Sequence, residues 1–218
     1  MSGYVAHGAN LNLIWTRLLM TDIDASKEQL KALKDLERKK RELAKLKDEW
    51  AYRQRNNAIK YIKPHPKQDE FFRSNASIRI ISGGNRSGKS QAGIQEDVAH
   101  ALGYRPWLPE SDPSYKVNVR VPNKGLIVGE TFGEQVKKVL VPKLLGDMEG
   151  GFPGFIPTHE LEYIKKNQQG IVTHIQLKNK STMDLQSYDQ PVELFESADY
   201  DWAHFDEPPM RPIWIAVK

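Results

Sequence analysis

Residues 83–90 read GGNRSGKS, and their types and spacing could bind the phosphates of a nucleotide. The octet matches the pattern G-x-x-x-x-G-K-[ST], in which glycines let backbone N–H groups turn inward around phosphate oxygens at a helix start. Lys89 is predicted to reach the β- and γ-phosphates, and Ser90 to ligate Mg²⁺. A glycine-rich structural turn is the alternative. The nucleotide-binding residues predicted by the pattern are Gly83, Gly84, Asn85, Arg86, Ser87, Gly88, Lys89 and Ser90.

A second pattern supplies the carboxylates that such a site needs. Residues 202–207 read WAHFDE, a hydrophobic run that ends in two acids. Asp206 is predicted to hold Mg²⁺, and Glu207 to orient and deprotonate the attacking water. Because a small-molecule kinase has less need of a water-activating glutamate, the pair favours hydrolysis of ATP. The alternative is that both acids are solvent-facing loop residues.

Gln68 and Arg86 are two further candidates. Gln68 lies in HPKQDEFF, fifteen residues before Gly83, and a glutamine amide can donate to and accept from the Hoogsteen edge of adenine at once. Arg86 is predicted to assist catalysis by stabilising charge on the γ-phosphoryl group. Ordinary surface residues are the alternative for both.

Composition excludes several other chemistries. The 218 residues include no cysteine, which removes disulfide frameworks, thiolate zinc sites and cysteine nucleophiles. His65, His159, His174 and His204 lack the spacing of metal ligands. The net charge of +4 does not by itself establish a polyanionic partner. Polar residues interrupt the apolar run 11–20, so we expect neither a signal peptide nor a membrane span, and a cytoplasmic location.

Periodicity places the octet between a strand and a helix. Residues 78–82 resemble a short buried strand and residues 90–103 a helix, which together open a βαβ unit. The other predicted elements are a strand-like alternation over 116–121, a strand over 125–129, a helix over 134–145 that Pro142 ends or kinks, a hairpin of 171–178 and 182–187, and a strand over 202–205.

A helix with one apolar stripe is predicted ahead of this pattern. Ser26 and Gln29 have the spacing of a capping box, so we expect the helix to begin there. Apolar residues then recur at spacings of three, four or seven, as on one face of a helix. The stripe consists of Leu30, Leu33, Leu36, Leu43, Leu46 and Trp50.

The charge of the chain is concentrated in the same region. Residues 27–63 hold thirteen lysines and arginines against six acids. A solvated arm and a surface for DNA or another subunit are the two interpretations. Prolines 64 and 66 then break the helix, so we place a helical arm over 1–63 and a globular domain over 64–218.

The sequence resembles the ATPase part of the large terminase subunit of tailed bacteriophages, a DNA-packaging motor. The resemblance is carried by GGNRSGKS after IRIIS, by HPKQDEFF before them and by DWAHFDEPP after them. The segment GLIVGETFGEQVKKVLVPKLL and the hairpin THIQLKNKSTMDLQS are also similar in order and spacing. The similarity runs from about residue 60 to the C-terminus.

The resemblance implies an α/β fold of the additional-strand P-loop NTPase type, with a mainly parallel central sheet flanked by helices behind the basic arm. It assigns Gln68 to the adenine motif, residues 83–90 to Walker A, Asp206 to Walker B and Glu207 to catalysis. It implies Mg²⁺-dependent hydrolysis of ATP that translocates double-stranded viral DNA into a procapsid.

The same resemblance implies partners. They are the portal protein, the small terminase subunit and further copies of the chain in a ring. In such a ring an arginine usually acts on the neighbouring subunit, and the sequence leaves Arg105 and Arg120 open for this role. The implied location is the bacterial host cytoplasm, with transient docking on the procapsid portal and no membrane.

Members of this family normally continue past Walker B to a coupling motif and an RNase H-like nuclease domain. This sequence stops at Lys218, eleven residues after Glu207. We therefore expect no DNA cleavage by this chain alone, and weak or absent turnover. Two other functions stay open: another P-loop DNA helicase or repair ATPase, and a non-catalytic nucleotide-binding assembly module whose basic helix binds a partner.

Overall fold

The computed structural model describes residues 8–147, 151–196 and 199–217. The chain forms two compact units, Met1–Ala51 and Tyr52–Lys218. Helix α1, Gly8–Asn56, runs through the described part of the first unit and ends in the second. The prediction that this helix begins at Ser26 is wrong, because residues 9–25 contain no glycine or proline that would stop it. The domain boundary predicted near residue 64 falls inside the second unit.

The apolar stripe of α1 is exposed. Its six side chains each keep at least half of their accessible surface, from 50% at Leu36 to 60% at Leu46. Between residues 27 and 51, no side chain that the structure describes is buried. This part of the first unit therefore has no packed core of its own.

The second unit is built around a five-stranded sheet of order β2-β3-β4-β1-β5. Strand β1 pairs in parallel with β4 and β5, whereas β3 pairs antiparallel with β2 and β4. The sheet is mixed, so the prediction of an additional-strand P-loop fold with a mainly parallel sheet is wrong. The strands are β1 Lys124–Gly129, β2 Leu161–Lys166, β3 Val172–Leu177, β4 Thr182–Ser187 and β5 Trp202–Phe205.

Two local features account for this difference. The turn between β3 and β4 is too short for a parallel crossover, so the two strands must run antiparallel. Residues 78–82, predicted to form a buried strand, form none, and Ile78 and Ile80 are 59% and 87% exposed. A short apolar run forms a strand only where a neighbouring strand supplies hydrogen bonds. The alternation over 116–121 yields only an isolated bridge between Tyr104 and Lys116.

Other predicted elements are confirmed. Helix α3, Lys89–Leu102, begins at the seventh residue of the octet, and the predicted hairpin is present as β3 and β4. The helix predicted over 134–145 is a π-helix, Phe132–Leu140, continued by α4, Val141–Leu145. Pro142 lies in the first turn of α4, directly after the π-helix, and does not end the helix. The remaining elements are a 3₁₀-helix Ala58–Tyr61, α2 Pro66–Arg73, α5 Glu193–Glu196 and α6 Arg211–Ala216.

Hydrophobic side chains pack on both faces of the sheet, because alternate residues of a strand point to opposite faces. Ile127 of β1 lies in one cluster with Ile94 of α3. Leu126 lies in a second cluster with Phe195 of α5 and Ile213 of α6. Helix α3 is thus packed on one face, which fixes the position of the octet at its start.

Candidate functional site

The octet forms a loop that ends at the start of α3. Gly88 caps the helix with a φ of 85°, and Arg86 also has a positive φ, of 62°. The left-handed residues on either side of Ser87 curl the backbone of the loop, a conformation whose N–H groups can bind anions, although the Ser87 N–H itself donates to the Gly84 carbonyl at 3.3 Å. The first turn of α3 adds N–H groups that have no partner within the helix. The loop therefore offers backbone donors to an anion.

The three glycines of the octet differ in the space around them. A Cβ at Gly83 would lie 2.8 Å from Ser87 Oγ, and one at Gly88 would lie 2.8 Å from Gln68 Nε2. A Cβ at Gly84 would meet nothing within 4 Å. The positive φ of Gly88 favours glycine there, whereas the close atoms at Gly83 and Gly88 are ends of side chains that can move, and Gly84 is open, next to the exposed Asn85.

The Lys89 side chain folds back over the loop. Its Nζ donates to the carbonyl oxygens of Gly83 at 2.8 Å and Gly84 at 3.1 Å. An ammonium group has three donors, so one remains for a further acceptor. The structure thus holds the positive charge of Lys89 at the loop, and Ser90 follows it in the first turn of α3.

Gln68 lies beside the octet, but its amide is already bonded within the chain. Its Nε2 donates to the Gly88 carbonyl at 3.2 Å. Its Oε1 accepts from the backbone N–H of His65 at 2.9 Å, which completes a capping box at the start of α2. Gln68 therefore ties α2 to the octet. Reading an adenine, which stays a prediction, would require the amide to exchange these partners.

The Asp206 carboxylate is held by Gln135, a contact that the sequence did not predict. The Asp206 backbone N–H donates to the Val128 carbonyl at 3.0 Å, so the pairing of β5 with β1 continues past the strand end. Its carboxylate accepts from the Gln135 amide. Gln135 also accepts from the Glu130 N–H at 3.1 Å. No spacing in the sequence indicates this contact, because it depends on the π-helix, an element that often marks functional sites.

Glu207 is exposed, and its carboxylate is directed by no described hydrogen bond. Its carbonyl oxygen accepts from the Tyr188 hydroxyl at 2.5 Å. Burial raises the pKa of Tyr188, and the negative charges of Asp206 and Glu207 raise it further. Tyr188 therefore stays a protonated donor that fixes the backbone after β5.

His204 connects β5 to α3. Its Nδ1 lies 2.6 Å from Asp97 Oδ2. Burial lowers the pKa of His204, but the Asp97 carboxylate and Asp206 outweigh burial and raise it. Burial raises the pKa of Asp97, and His204 offsets only part of that effect. The spacing of the histidines in the sequence does not fit metal ligands, and the sequence predicted no other role for His204. The alternation of the strand could have placed it on the same side as Asp206.

A buried carboxylate on α3 binds two arginines. Glu96 is 3% exposed and accepts from Arg79 at 2.8 Å and from Arg105 Nε at 2.9 Å. Burial alone would raise the pKa of Glu96. The hydrogen bond from Arg105 and the positive charges of Arg105 and Arg79 oppose burial, and the pKa of Glu96 is lowered. Because Arg105 is 6% exposed and bonded to Glu96, it presents no guanidinium to another subunit. Arg120 is exposed, so of the two arginines that the sequence left open it alone faces solvent.

The predicted metal ligands are suited to Mg²⁺ only in combination with a phosphate. Among the described residues, no group of three or more histidine and acidic side chains could hold a metal ion. Mg²⁺ commonly takes one or two carboxylates, several waters and substrate phosphates. The Ser90 hydroxyl and the Asp206 carboxylate are hard oxygen donors that fit this pattern. No hydrogen bond within the described ranges joins the octet directly to Asp206 or Glu207.

A cavity of about 530 Å³ opens over β2, β3 and β4. Lys165, His174, Asp184 and Gln186 are among its lining residues. None of the predicted site residues lines it, so this cavity is separate from the octet and from the acids after β5.

Comparison of the chain with protein-family models, curated proteins and solved structures gives no significant match. Along the described ranges, no helix combines the length and apolar character needed to cross a lipid bilayer. The geometry of the octet and of the two acids therefore carries the functional argument.

Proposed function

We propose that the chain is the ATPase portion of a viral DNA-packaging motor of the terminase large-subunit type, hydrolysing ATP to translocate double-stranded DNA into a procapsid. The observation that carries the proposal is the folded octet. Arg86 and Gly88, which both have left-handed backbone torsions, precede α3, and the Lys89 side chain lies across the loop. The acids after β5 belong to the same compact unit.

Each group has a distinct role in this proposal. The loop N–H groups and Lys89 bind the phosphates of ATP, and Arg86 stabilises charge on the γ-phosphoryl group. Ser90 and Asp206 hold Mg²⁺, which when bound neutralises charge on the phosphate oxygens. The exposed Glu207 orients a water molecule and accepts its proton.

The proposed partners are viral DNA, the portal protein, the small terminase subunit and neighbouring copies of the chain. The proposed location is the bacterial host cytoplasm, at the procapsid portal. The order of the motifs and the basic excess over residues 27–63 support this part of the proposal.

Substitution of the predicted base tests the hydrolytic step. In the assembled motor, Glu207→Gln should keep ATP binding and abolish turnover, because the amide cannot accept the proton of water. Glu110→Gln, a change at another exposed acid, should leave both unchanged. Turnover by Glu207→Gln at the parental rate would show that Glu207 is not the base.

A packaging assay separates this proposal from a helicase or repair ATPase. The motor should consume ATP with double-stranded DNA only in the presence of procapsids that carry a portal. Strand separation of DNA without any procapsid would favour the helicase instead.

The exposed stripe of α1 favours a second candidate, a nucleotide-dependent assembly module. Apolar side chains spaced along one helix face and half exposed are typical of a surface that binds another helix. Removal of residues 26–55 should then abolish binding to the portal or small subunit, while ATP turnover of the parent protein is negligible. Brisk DNA-dependent turnover by the assembled parent protein would exclude this candidate.

A further inference from the structure

The His204 side chain of β5 lies directly against α3. Its Nδ1 is 2.6 Å from the Asp97 carboxylate, across 107 positions of sequence. The Asp97 side chain is 4% exposed and that of His204 17%. A short hydrogen bond between two largely buried polar groups fixes the separation of the elements that carry them.

Gly93 of α3 provides the space for this imidazole. A Cβ at Gly93 would lie 2.3 Å from His204 Cε1 and 2.4 Å from His204 Nε2. Glycine in a helix interior costs about 1 kcal/mol relative to alanine. The close approach of the ring gives a physical reason for glycine at this position, so α3 and β5 fit together through one histidine.

The same faces of α3 and β5 carry the predicted magnesium ligands. On a helix, residues three or four apart share a face, so Ser90 lies on the face of Gly93 and Asp97. On a strand, alternate residues share a face, and Asp206 continues the ladder two residues after His204. The two predicted ligands therefore project from the two surfaces that His204 holds together.

We propose that His204, bonded to Asp97 and accommodated by Gly93, is a positioning residue that sets Asp206 relative to Ser90 for binding of Mg²⁺ with ATP. The proposal rests on the proposed nucleotide site. It assigns to His204 no contact with the metal or with ATP.

The decisive experiment compares His204→Phe with a matched control, His174→Phe. His174 Nδ1 also lies 2.6 Å from a carboxylate, that of Asp184, but this pair joins β3 to β4 and not to α3. We would titrate ATP into the full chain with and without Mg²⁺, after circular dichroism has shown that each variant is folded. Loss of a group that orients a metal ligand typically costs 10- to 100-fold in metal affinity.

His204→Phe should weaken Mg²⁺ binding to the ATP complex about tenfold while leaving metal-free ATP affinity unchanged. His174→Phe should leave both affinities unchanged. An equal loss of both affinities in His204→Phe, or no loss, would overturn the positioning role.

A measurement on the parent protein covers the case in which His204→Phe does not fold. Imidazole resonances of His204 should shift when Mg²⁺ is added to the ATP complex, and those of His174 should not. Unchanged His204 resonances on metal binding would overturn the proposal.

The failure of the two proposals can be distinguished. If the parent binds Mg²⁺ and ATP and Lys89→Ala does not, a His204→Phe protein with normal Mg²⁺ affinity overturns only the positioning role. If the parent binds no ATP, the proposed function and the positioning role both fall.

Discussion

At the scale of single residues, Glu96 organises the charges around α3. It binds Arg79, which precedes α3 in the chain, and Arg105, which follows α3. His100 Nε2 lies 3.6 Å from the same carboxylate. Two guanidinium groups already exceed the charge of one carboxylate. His100 is also largely buried, and burial together with the two guanidinium groups disfavours a further positive charge, so His100 is neutral at neutral pH.

This arrangement predicts a pH dependence of stability. Burial, with the charges of Arg79 and Arg105, lowers the pKa of His100 from 6.5 to about 4, against the opposing effect of Glu96. Between these values the unfolded chain binds a proton that the folded chain does not. The free energy of unfolding should therefore fall as the pH drops from 6.5 towards 4, by at most about 3 kcal/mol from this group.

Chemical unfolding at several pH values checks this prediction. His100→Gln should lose the part of the pH slope that lies between 6.5 and 4. The control His159→Gln, at an exposed histidine, should keep the parental slope. A parental slope in His100→Gln would mean that His100 is not the group responsible.

Removal of the Glu96 charge should be far more costly than removal of a surface charge. Glu96→Gln leaves Arg79 and Arg105 without a counter-charge and should lower the free energy of unfolding by about 3 to 5 kcal/mol. Glu70→Gln removes a carboxylate whose side chain is 73% exposed, paired with Lys67, and should cost less than about 1 kcal/mol. Denaturant titration measures both, and similar small losses would refute the central role of Glu96.

The residue scale also shows what a sequence can and cannot reveal about the site. The octet and the two acids are local patterns, so their positions could be found without a structure. Gln135 on Asp206, and His204 on Asp97, join residues that are far apart in the chain. Such contacts depend on packing of distant elements, and a single sequence carries no direct signal for them.

At the scale of elements, the contact between β1 and β5 depends on a missing side chain. A Cβ at Gly125 would lie 2.0 Å from Trp202 Cζ2. The Trp202 indole is also fixed, because its Nε1 donates to Asn123 Oδ1 at 2.9 Å. The ring cannot move aside without losing this hydrogen bond, so β1 tolerates only glycine at this position.

Gly125→Ala should therefore lower the free energy of unfolding by about 2 kcal/mol or more, as overpacking does. Gly133 offers a matched control, because a Cβ there would meet nothing within 4 Å. Gly133→Ala lies in the π-helix and should leave stability unchanged or raise it by up to about 1 kcal/mol. Thermal unfolding distinguishes the two variants, and equal melting temperatures would contradict the steric account.

Strongly periodic elements were predictable, and elements that depend on a neighbour were not. α3, β1, the β3–β4 hairpin and β5 follow from apolar spacing and turn residues. The apolar run 78–82 has the same local character as a strand, but Ile78 and Ile80 are exposed and unpaired with any strand. The local pattern determines which element a segment can form. A neighbouring strand that supplies hydrogen bonds determines whether an apolar run becomes a strand.

At the scale of the whole molecule, the sequence predicted the wrong sheet. The prediction was a mainly parallel sheet that included one antiparallel hairpin, whereas the sheet is mixed and β3 runs antiparallel to both of its neighbours. Strand order is set by long-range pairing, which one sequence does not display. The octet and the acids after β5 nevertheless lie in one compact unit, so the proposed chemistry depends on their local geometry rather than on the predicted fold.

The most direct test of the central claim is calorimetric titration of Mg²⁺ and ATP into this chain, beside Lys89→Ala and Lys178→Ala. Lys89 lies over the loop of the octet, whereas Lys178 is an exposed lysine at the end of β3. We predict that the parent and Lys178→Ala bind ATP alike and that Lys89→Ala does not. Equal binding by Lys89→Ala, or no binding by the parent, would contradict the assignment of residues 83–90 as a nucleotide-binding loop.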